Sequence, residues 1–183
     1  MVKPITYAYL ETTNYCNLRC SFCNREDVIG PLKHMSLDNW GKLLDGIKHH
    51  PIEEAKLMGM GEPMLHPQFD EVCRMFKETF PNAKLIVATN CQYNIKEGLE
   101  FRRKFQECLK YIDVLYFSID GWGESYERDR APAKWSKLLK FLEDFKTINR
   151  YDCDCVVNYV VNAYNVDDIE KVDGLRKENN LGQ

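Results

Sequence analysis

The feature that most constrains this chain is alternation: five short apolar runs, each followed by a longer amphipathic one. The apolar runs lie at about Ile5 to Thr12, Ala55 to Met60, Ala83 to Thr89, Asp113 to Ile119 and Cys155 to Val161. Between them, apolar side chains recur at helical spacing. One stripe is Leu37, Trp40, Leu43, Leu44 and Ile47, with Ser36 expected as its N-cap. A second is Phe69, Val72, Cys73 and Phe76; a third is Phe101, Phe105, Cys108, Leu109 and Ile112. A fourth is Trp135, Leu138, Leu139, Leu142 and Phe145, and a last helix is predicted from Val166 to Asn179. Strands separated by helices pair in parallel, because parallel neighbours need a crossover. An eight-unit barrel takes about 250 residues, and this chain has 183. The sequence therefore predicts an α/β fold, either an open sheet or a partial (βα) barrel of about five to six parallel strand–helix units, in one domain spanning residues 1–183.

Composition narrows the class. The chain is 44% hydrophobic and 29% charged, the balance of an ordinary water-soluble domain. No apolar run approaches the roughly 20 residues of a membrane span. The N-terminus lacks the basic, apolar, small-residue order of a signal peptide. A cytoplasmic location without membrane attachment is expected. The net charge of -3 argues against a basic nucleic-acid-binding surface. Eight cysteines in a reducing compartment point to metal rather than to disulfides.

Three of those cysteines are clustered: Cys16-Asn-Leu-Arg-Cys20-Ser-Phe-Cys23, directly after the first apolar run. Thiolates select zinc or iron–sulfur clusters. A structural zinc site takes four ligands, so zinc would need a distant fourth ligand such as Cys73 or His34. A four-iron cubane held by three cysteines keeps one iron without a protein ligand. The other cysteines read differently. Cys73 and Cys108 fall on apolar stripes and behave as small hydrophobes. Cys153 and Cys155 begin the fifth run, at the end opposite the cysteine loop. Cys91 follows Asn90 and is read as structural.

The three-then-two spacing, with Asn17, Leu18, Arg19 and Phe22 between the cysteines, resembles that of the radical S-adenosylmethionine enzymes. The resemblance runs over nearly the whole chain and implies that Cys16, Cys20 and Cys23 hold a 4Fe–4S cluster whose open iron chelates S-adenosylmethionine. Gly59-Met60-Gly61-Glu62-Pro63 resembles the family's Gly-Gly-Glu-Pro motif at the methionine amino group. Asn90, Ser118 and Asp120 match positions near the ribose and carboxylate. Arg130, with Arg128 as its competitor, matches an arginine that neutralises a carboxylate. Asn158, paired with Asn162 at spacing four, is a further candidate, as is Phe22 near the adenine or packed under the loop. Cys91 stands where the family commonly has glycine.

What the resemblance implies is reductive cleavage of S-adenosylmethionine to a 5′-deoxyadenosyl radical, followed by hydrogen abstraction from a peptide or small-metabolite substrate. The electron donor would be a flavodoxin or ferredoxin. The chain is most similar to the peptide- and small-molecule-modifying (SPASM-like) branch, without its cysteine-rich C-terminal domain. The family core has about six units and this chain has about five. A natural short form, a truncation and a missing C-terminal region are all open readings. Three alternatives stand beside this one: a glycyl-radical-enzyme activase, an RNA-modifying enzyme of the same family, and a non-catalytic zinc- or cluster-bearing interaction module.

Overall fold

A computed structural model describes residues 3–93, 99–148 and 150–182 of the chain. Five strands form one sheet: β1 (Ile5–Tyr9), β2 (Ile52–Leu57), β3 (Lys84–Thr89), β4 (Val114–Ser118) and β5 (Asp154–Asn158). They lie side by side in chain order, and all four neighbouring pairs are parallel. This is the expected α/β partial barrel, with β1 and β5 at the two edges of the sheet. After the last helix the chain returns to β5, where Gly182 N donates to Cys155 O at 2.6 Å.

Seven helices fill the connections among the described residues. They are α1 (Arg25–Val28), α2 (Leu37–Ile47), α3 (Phe69–Thr79), α4 (Leu99–Leu109), α5 (Glu124–Asp129), α6 (Trp135–Phe145) and α7 (Ile169–Glu178). Ser36 caps α2 as expected, its side chain accepting from Asn39 N at 3.2 Å. The predicted stripes are the buried faces, in Trp40 and Leu44, in Phe69, Val72, Cys73 and Phe76, and in Leu138, Leu142 and Phe145. Leu139 departs from its stripe and is exposed. Trp40 ties two helices together, its indole donating to Val72 O at 3.1 Å.

These faces cover one side of the sheet. Ala55, Leu57, Leu85, Val87, Leu115, Phe117 and Cys155 point into the same apolar core. Phe105, Phe117, Phe141 and Phe145 meet there largely edge to face, the arrangement that aromatic quadrupoles favour. Residues of opposite parity line the other side. Tyr7 pairs with Glu54, Tyr9 with Lys56, Tyr116 with Val156 and Ser118 with Asn158. Tyr7 and Tyr9 are 57% and 65% exposed, with the Lys56 ammonium over both rings at 5.5 and 5.4 Å.

Three expected strands have different limits, and the last of them, β5, ends at Asn158 rather than Val161. β1 stops at Tyr9, because Thr12 and Thr13 turn inward to hydrogen-bond the segment around Lys33. β2 spans Ile52–Leu57, three residues earlier than predicted. Its Glu53 and Glu54 carry no apolar signal, and the apolar Met58 and Met60 belong to the following turn.

Candidate functional site

The loop from Leu10 to Asn24 carries the three cysteines across the C-terminal ends of the strands, the end where sites gather in such folds. Besides the contacts of Thr12 and Thr13 to the segment around Lys33, three attachments from the strand and helix ends hold it.

The first comes from the turn after β2. Glu62 N donates to Tyr15 O at 2.7 Å. A Cβ at Gly61 would overlap the Thr13 carbonyl, so only glycine lets the two backbones approach. Glu11, two residues beyond Tyr9, turns its carboxylate onto Met60 N at 2.5 Å and Gly61 N at 3.2 Å. A Cβ at Gly59 would strike that same carboxylate. Glu62 itself is buried, and its two oxygens accept from Met64 N at 3.3 Å and Asn90 N at 2.8 Å. Burial pushes this carboxyl up from its ordinary range, opposed mainly by the Asn90 amide. The glutamate thus clasps the turn after β2 to the end of β3.

The second attachment follows β3. Asn90 Nδ2 donates to Asn17 Oδ1 at 2.7 Å and lies 4.0 Å from Cys16 Sγ. Asn90 Oδ1 accepts from Gln92 N at 3.0 Å, and Asn17 Nδ2 donates to Gln92 O at 3.3 Å. Cys91 sits in the left-handed region at φ 60°. That explains a glycine preference here, since a Cβ costs about 1–2 kcal/mol in this conformation. The Cys91 thiol is buried and donates to Thr89 O at 3.6 Å, a structural position.

The third attachment is the end of α5. Arg19 N donates to Ala131 O at 2.6 Å, and Ser21 N donates to Asp129 O at 2.9 Å. Arg130, between these two carbonyls, is buried. Its Nε and Nη2 both hold Asp120 Oδ2, while Nη1 lies 3.9 Å from Cys20 Sγ. Asp120 Oδ1 accepts from Val160 N at 2.7 Å. Arg128 is exposed and paired with Asp129. Of the two arginines, Arg130 is the one at the loop.

Phe22 is 42% exposed with the Arg130 guanidinium 5.5 Å over its ring. It does not pack under the loop. Ser118 and Asn158 are register partners at the ends of β4 and β5. Asn162 does not share a strand face with Asn158, because β5 ends at Asn158. Its amide instead builds a turn, with Tyr164 N donating to its Oδ1 at 2.8 Å, and bonds Asp129 at 3.0 Å.

Cys16 and Cys20 are half-buried and Cys23 is exposed. Burial raises the Cys16 thiol and pushes Cys20 up to about 11 despite the nearby Arg130 charge, so metal binding there releases protons. Among the described residues no three His, Cys, Asp or Glu side chains come close enough to enclose a single ion. Neither proposed fourth zinc ligand joins the cysteines. Cys73 is fully buried in the core; His34 is turned onto Thr13 Oγ1 at 2.8 Å and stacked on Tyr15. A four-iron cubane would be held by Cys16, Cys20 and Cys23 as thiolates. Three soft donors on one loop, with N–H groups aimed at two of the sulfurs, fit that group.

Two residues escaped the sequence reading: Glu11 and Gln92 hold the loop without being part of any recognised pattern, while Asn17 lies within the cysteine pattern but its bonds to Asn90 and Gln92 were not foreseen. Glu11 had one available signal, as the next residue after Tyr7 and Tyr9 in a period-two series.

Comparison with known proteins gives the family and the fold. The chain is 24% identical over 165 residues to the sporulation killing factor maturation protein SkfB of Bacillus subtilis, covering 89% of this chain and 37% of that protein. It is 30% identical over 144 residues to the subtilosin biosynthesis protein AlbA of the same organism, covering 75% of this chain and 30% of that protein. It thus spans about a third of the length of these relatives. Among solved structures, Streptococcus suis SuiB bound to S-adenosylmethionine superposes with a TM-score of 0.75 at 18% identity, over 97% of this chain and 39% of that one. The sequence profile described as the Radical SAM superfamily matches residues 10–175. The chain belongs to the radical SAM superfamily, whose cofactors are a 4Fe–4S cluster and S-adenosylmethionine.

Proposed function

We propose that this chain uses Cys16, Cys20 and Cys23 to hold the 4Fe–4S cluster and carries out hydrogen abstraction on a peptide. The observation that carries the reading is the cysteine loop itself, pinned by the ends of β2, β3 and α5 with donors on two sulfurs. When bound, the cluster and the sulfonium compound supply a one-electron reductive cleavage that yields a 5′-deoxyadenosyl radical.

The protein's part is positioning and exclusion of water. The turn at Gly59, Gly61 and Glu62 offers backbone carbonyls to the amino group of the methionine moiety, and Glu11 and Glu62 fix its shape. Asn90, Ser118 and Asn158 line the rim where the ribose would lie, with Phe22 at the outer edge for the adenine. Asp120 orients Arg130 toward Cys20, where its guanidinium would serve a carboxylate of the bound sulfonium compound. Substrate would lie on the open face of the sheet, from Ser118 and Asn158 toward Tyr116 and Lys56.

A peptide is favoured over a small metabolite by the maturation and bacteriocin relatives, and by the likeness to SuiB bound to its precursor peptide. A GTP 3′,8-cyclase of Chlorobaculum tepidum, 28% identical over 88 residues, keeps a small-molecule substrate as the second reading. A cytoplasmic setting and a flavodoxin or ferredoxin as electron donor belong to the same proposal. No described helix is long and apolar enough to cross a membrane.

The test is anaerobic reconstitution with iron and sulfide, followed by dithionite and S-adenosylmethionine. Formation of 5′-deoxyadenosine is expected, and candidate peptides should raise it above the uncoupled level. A fully loaded cluster that yields no 5′-deoxyadenosine would overturn the proposal.

A further inference from the structure

Two side chains of the site reach sulfur. Arg130 Nη1 lies 3.9 Å from Cys20 Sγ, and Asn90 Nδ2 lies 4.0 Å from Cys16 Sγ. Cys23 is exposed, and its backbone N–H goes to Cys20 O at 3.0 Å. The three thiols therefore have unequal surroundings: a cation at one, a neutral amide at the second, solvent at the third. Resting on the reading that these thiolates hold the cluster, we propose that Arg130 and Asn90 set its reduction potential. Arg130 is the dominant group, and Asp120 is its positioning residue.

The physical reason is charge. Reduction adds one negative charge to the cluster, part of which resides on the cysteine sulfurs. A donor or cation held at a sulfur stabilises the reduced form more than the oxidised form and raises the potential. The effect grows where water is excluded, and Arg130 is buried. A guanidinium stays protonated at any working pH, so its influence is permanent.

Asp120 fixes the direction without cancelling the charge at sulfur. It takes the Nε and Nη2 edge of the guanidinium, which leaves Nη1 facing Cys20. The sulfur thus meets the positive group directly, and the carboxylate lies one side chain farther away. Val160 N, on the other carboxylate oxygen, and Asn165, whose Nδ2 donates to Asp120 O at 2.9 Å, hold Asp120 itself in place.

The segment that carries Arg130 is also the one that grips the loop, through the Asp129 and Ala131 carbonyls. Mechanical attachment and electrostatic tuning therefore come from the same three residues, and the distance from guanidinium to sulfur is fixed by backbone bonds on either side.

The measurement is an EPR-monitored redox titration of the anaerobically reconstituted protein, without S-adenosylmethionine or substrate, so turnover plays no part. Changing Asp120→Asn together with Arg130→Met removes both charges and strands neither in the interior. The reduction equilibrium should shift at least tenfold against the reduced form, which is 59 mV more negative for one electron. Arg130→Lys keeps a charge but cannot serve Asp120 and Cys20 at once, and should shift in the same direction by less. Asn90→Ala should shift it two- to threefold. Arg128→Met, at the exposed neighbour, should leave it unchanged.

A wild-type potential in cluster-loaded Arg130 variants would overturn the proposal. If those variants assemble no cluster, Asn90→Ala decides, and an unmoved potential there overturns it. A wild-type protein that takes up no iron and sulfide would instead overturn the cluster assignment on which the proposal rests.

Discussion

The two sides of the sheet solve different problems. On the helix side, Leu57, Val87, Leu115 and Phe117 are fully buried among aromatic rings. On the other side, Tyr7 and Tyr9 stand in solvent beside Lys56, and at the strand ends the order comes from hydrogen bonds of Glu11, Asn17, Glu62, Asn90 and Arg130. One side is held by area removed from water; the other is held by specific donors and acceptors. Damage to the first should lower stability, and damage to the second should lower cofactor retention at nearly constant stability.

Phe117→Ala should break the first side most strongly. Truncating a buried phenylalanine costs about 3–5 kcal/mol, and denaturant unfolding at constant slope would read it. The contrasting variant replaces Cys16, Cys20 and Cys23 by alanine. Its metal-free stability should stay within about 1 kcal/mol of wild type, while bound iron falls to background. If both variants lost stability equally, the division between the two sides would be wrong.

Gly61→Ala tests the border between the two regions. The added methyl meets the Thr13 backbone, which cannot rotate away as a side chain would. A loss of about 1–3 kcal/mol is expected, and iron content after reconstitution should drop with it.

A pH series sharpens the comparison from the side of the loop. His66 accepts from Gln68 N through Nδ1 at 3.1 Å and donates to Met35 O through Nε2 at 2.8 Å. Burial, helped by the nearby Lys104 ammonium, lowers its pKa below the usual 6.5. Below pH 6.5 the unfolded chain therefore takes up the proton first, and stability falls until the pKa of the folded form is reached. The slope cannot exceed about 1.4 kcal/mol per pH unit for this group. His66→Gln should flatten the thermal-melting profile in that window, with the remainder contributed by His34, whose pKa burial and His66 also lower. An unchanged profile would show that His66 does not titrate there.

Cys91→Gly should have the smallest effect. Relief of the left-handed backbone, about 1–2 kcal/mol, is offset by loss of a buried thiol and by the greater freedom of glycine in the unfolded chain. A net change within about 1 kcal/mol in thermal melting is expected. A loss comparable to that of Phe117→Ala would mean that the thiol has a further partner.

Legibility in the sequence follows the same division. β3 and β4 were readable to within a residue at each end, because AKLIVAT and DVLYFSI are apolar on both parities. β2 was not, because Glu53 and Glu54 interrupt the apolar pattern at its start and Met58 and Met60 prolong it past its end. The three cysteines were legible because they are close in sequence. Of their supports, Glu62, Asn90 and Arg130 were legible as site residues through the family resemblance, but their contacts were not, because each is long-range: Asn17 and Gln92 are separated by 75 residues, and Cys20 and Arg130 by 110. No local spacing encodes that an arginine on one loop faces a thiol on another. Asn158 and Asn162 show the opposite failure, since a spacing of four suggests a shared strand face, and the strand ends at Asn158.

The most direct measurement of the central claim is EPR of the reduced, reconstituted protein before and after S-adenosylmethionine is added. A cluster held by Cys16, Cys20 and Cys23 alone should show a changed g-tensor as the sulfonium compound takes the remaining iron. A signal identical in both samples, at full cluster loading, would mean that all four irons are already ligated and would contradict the account.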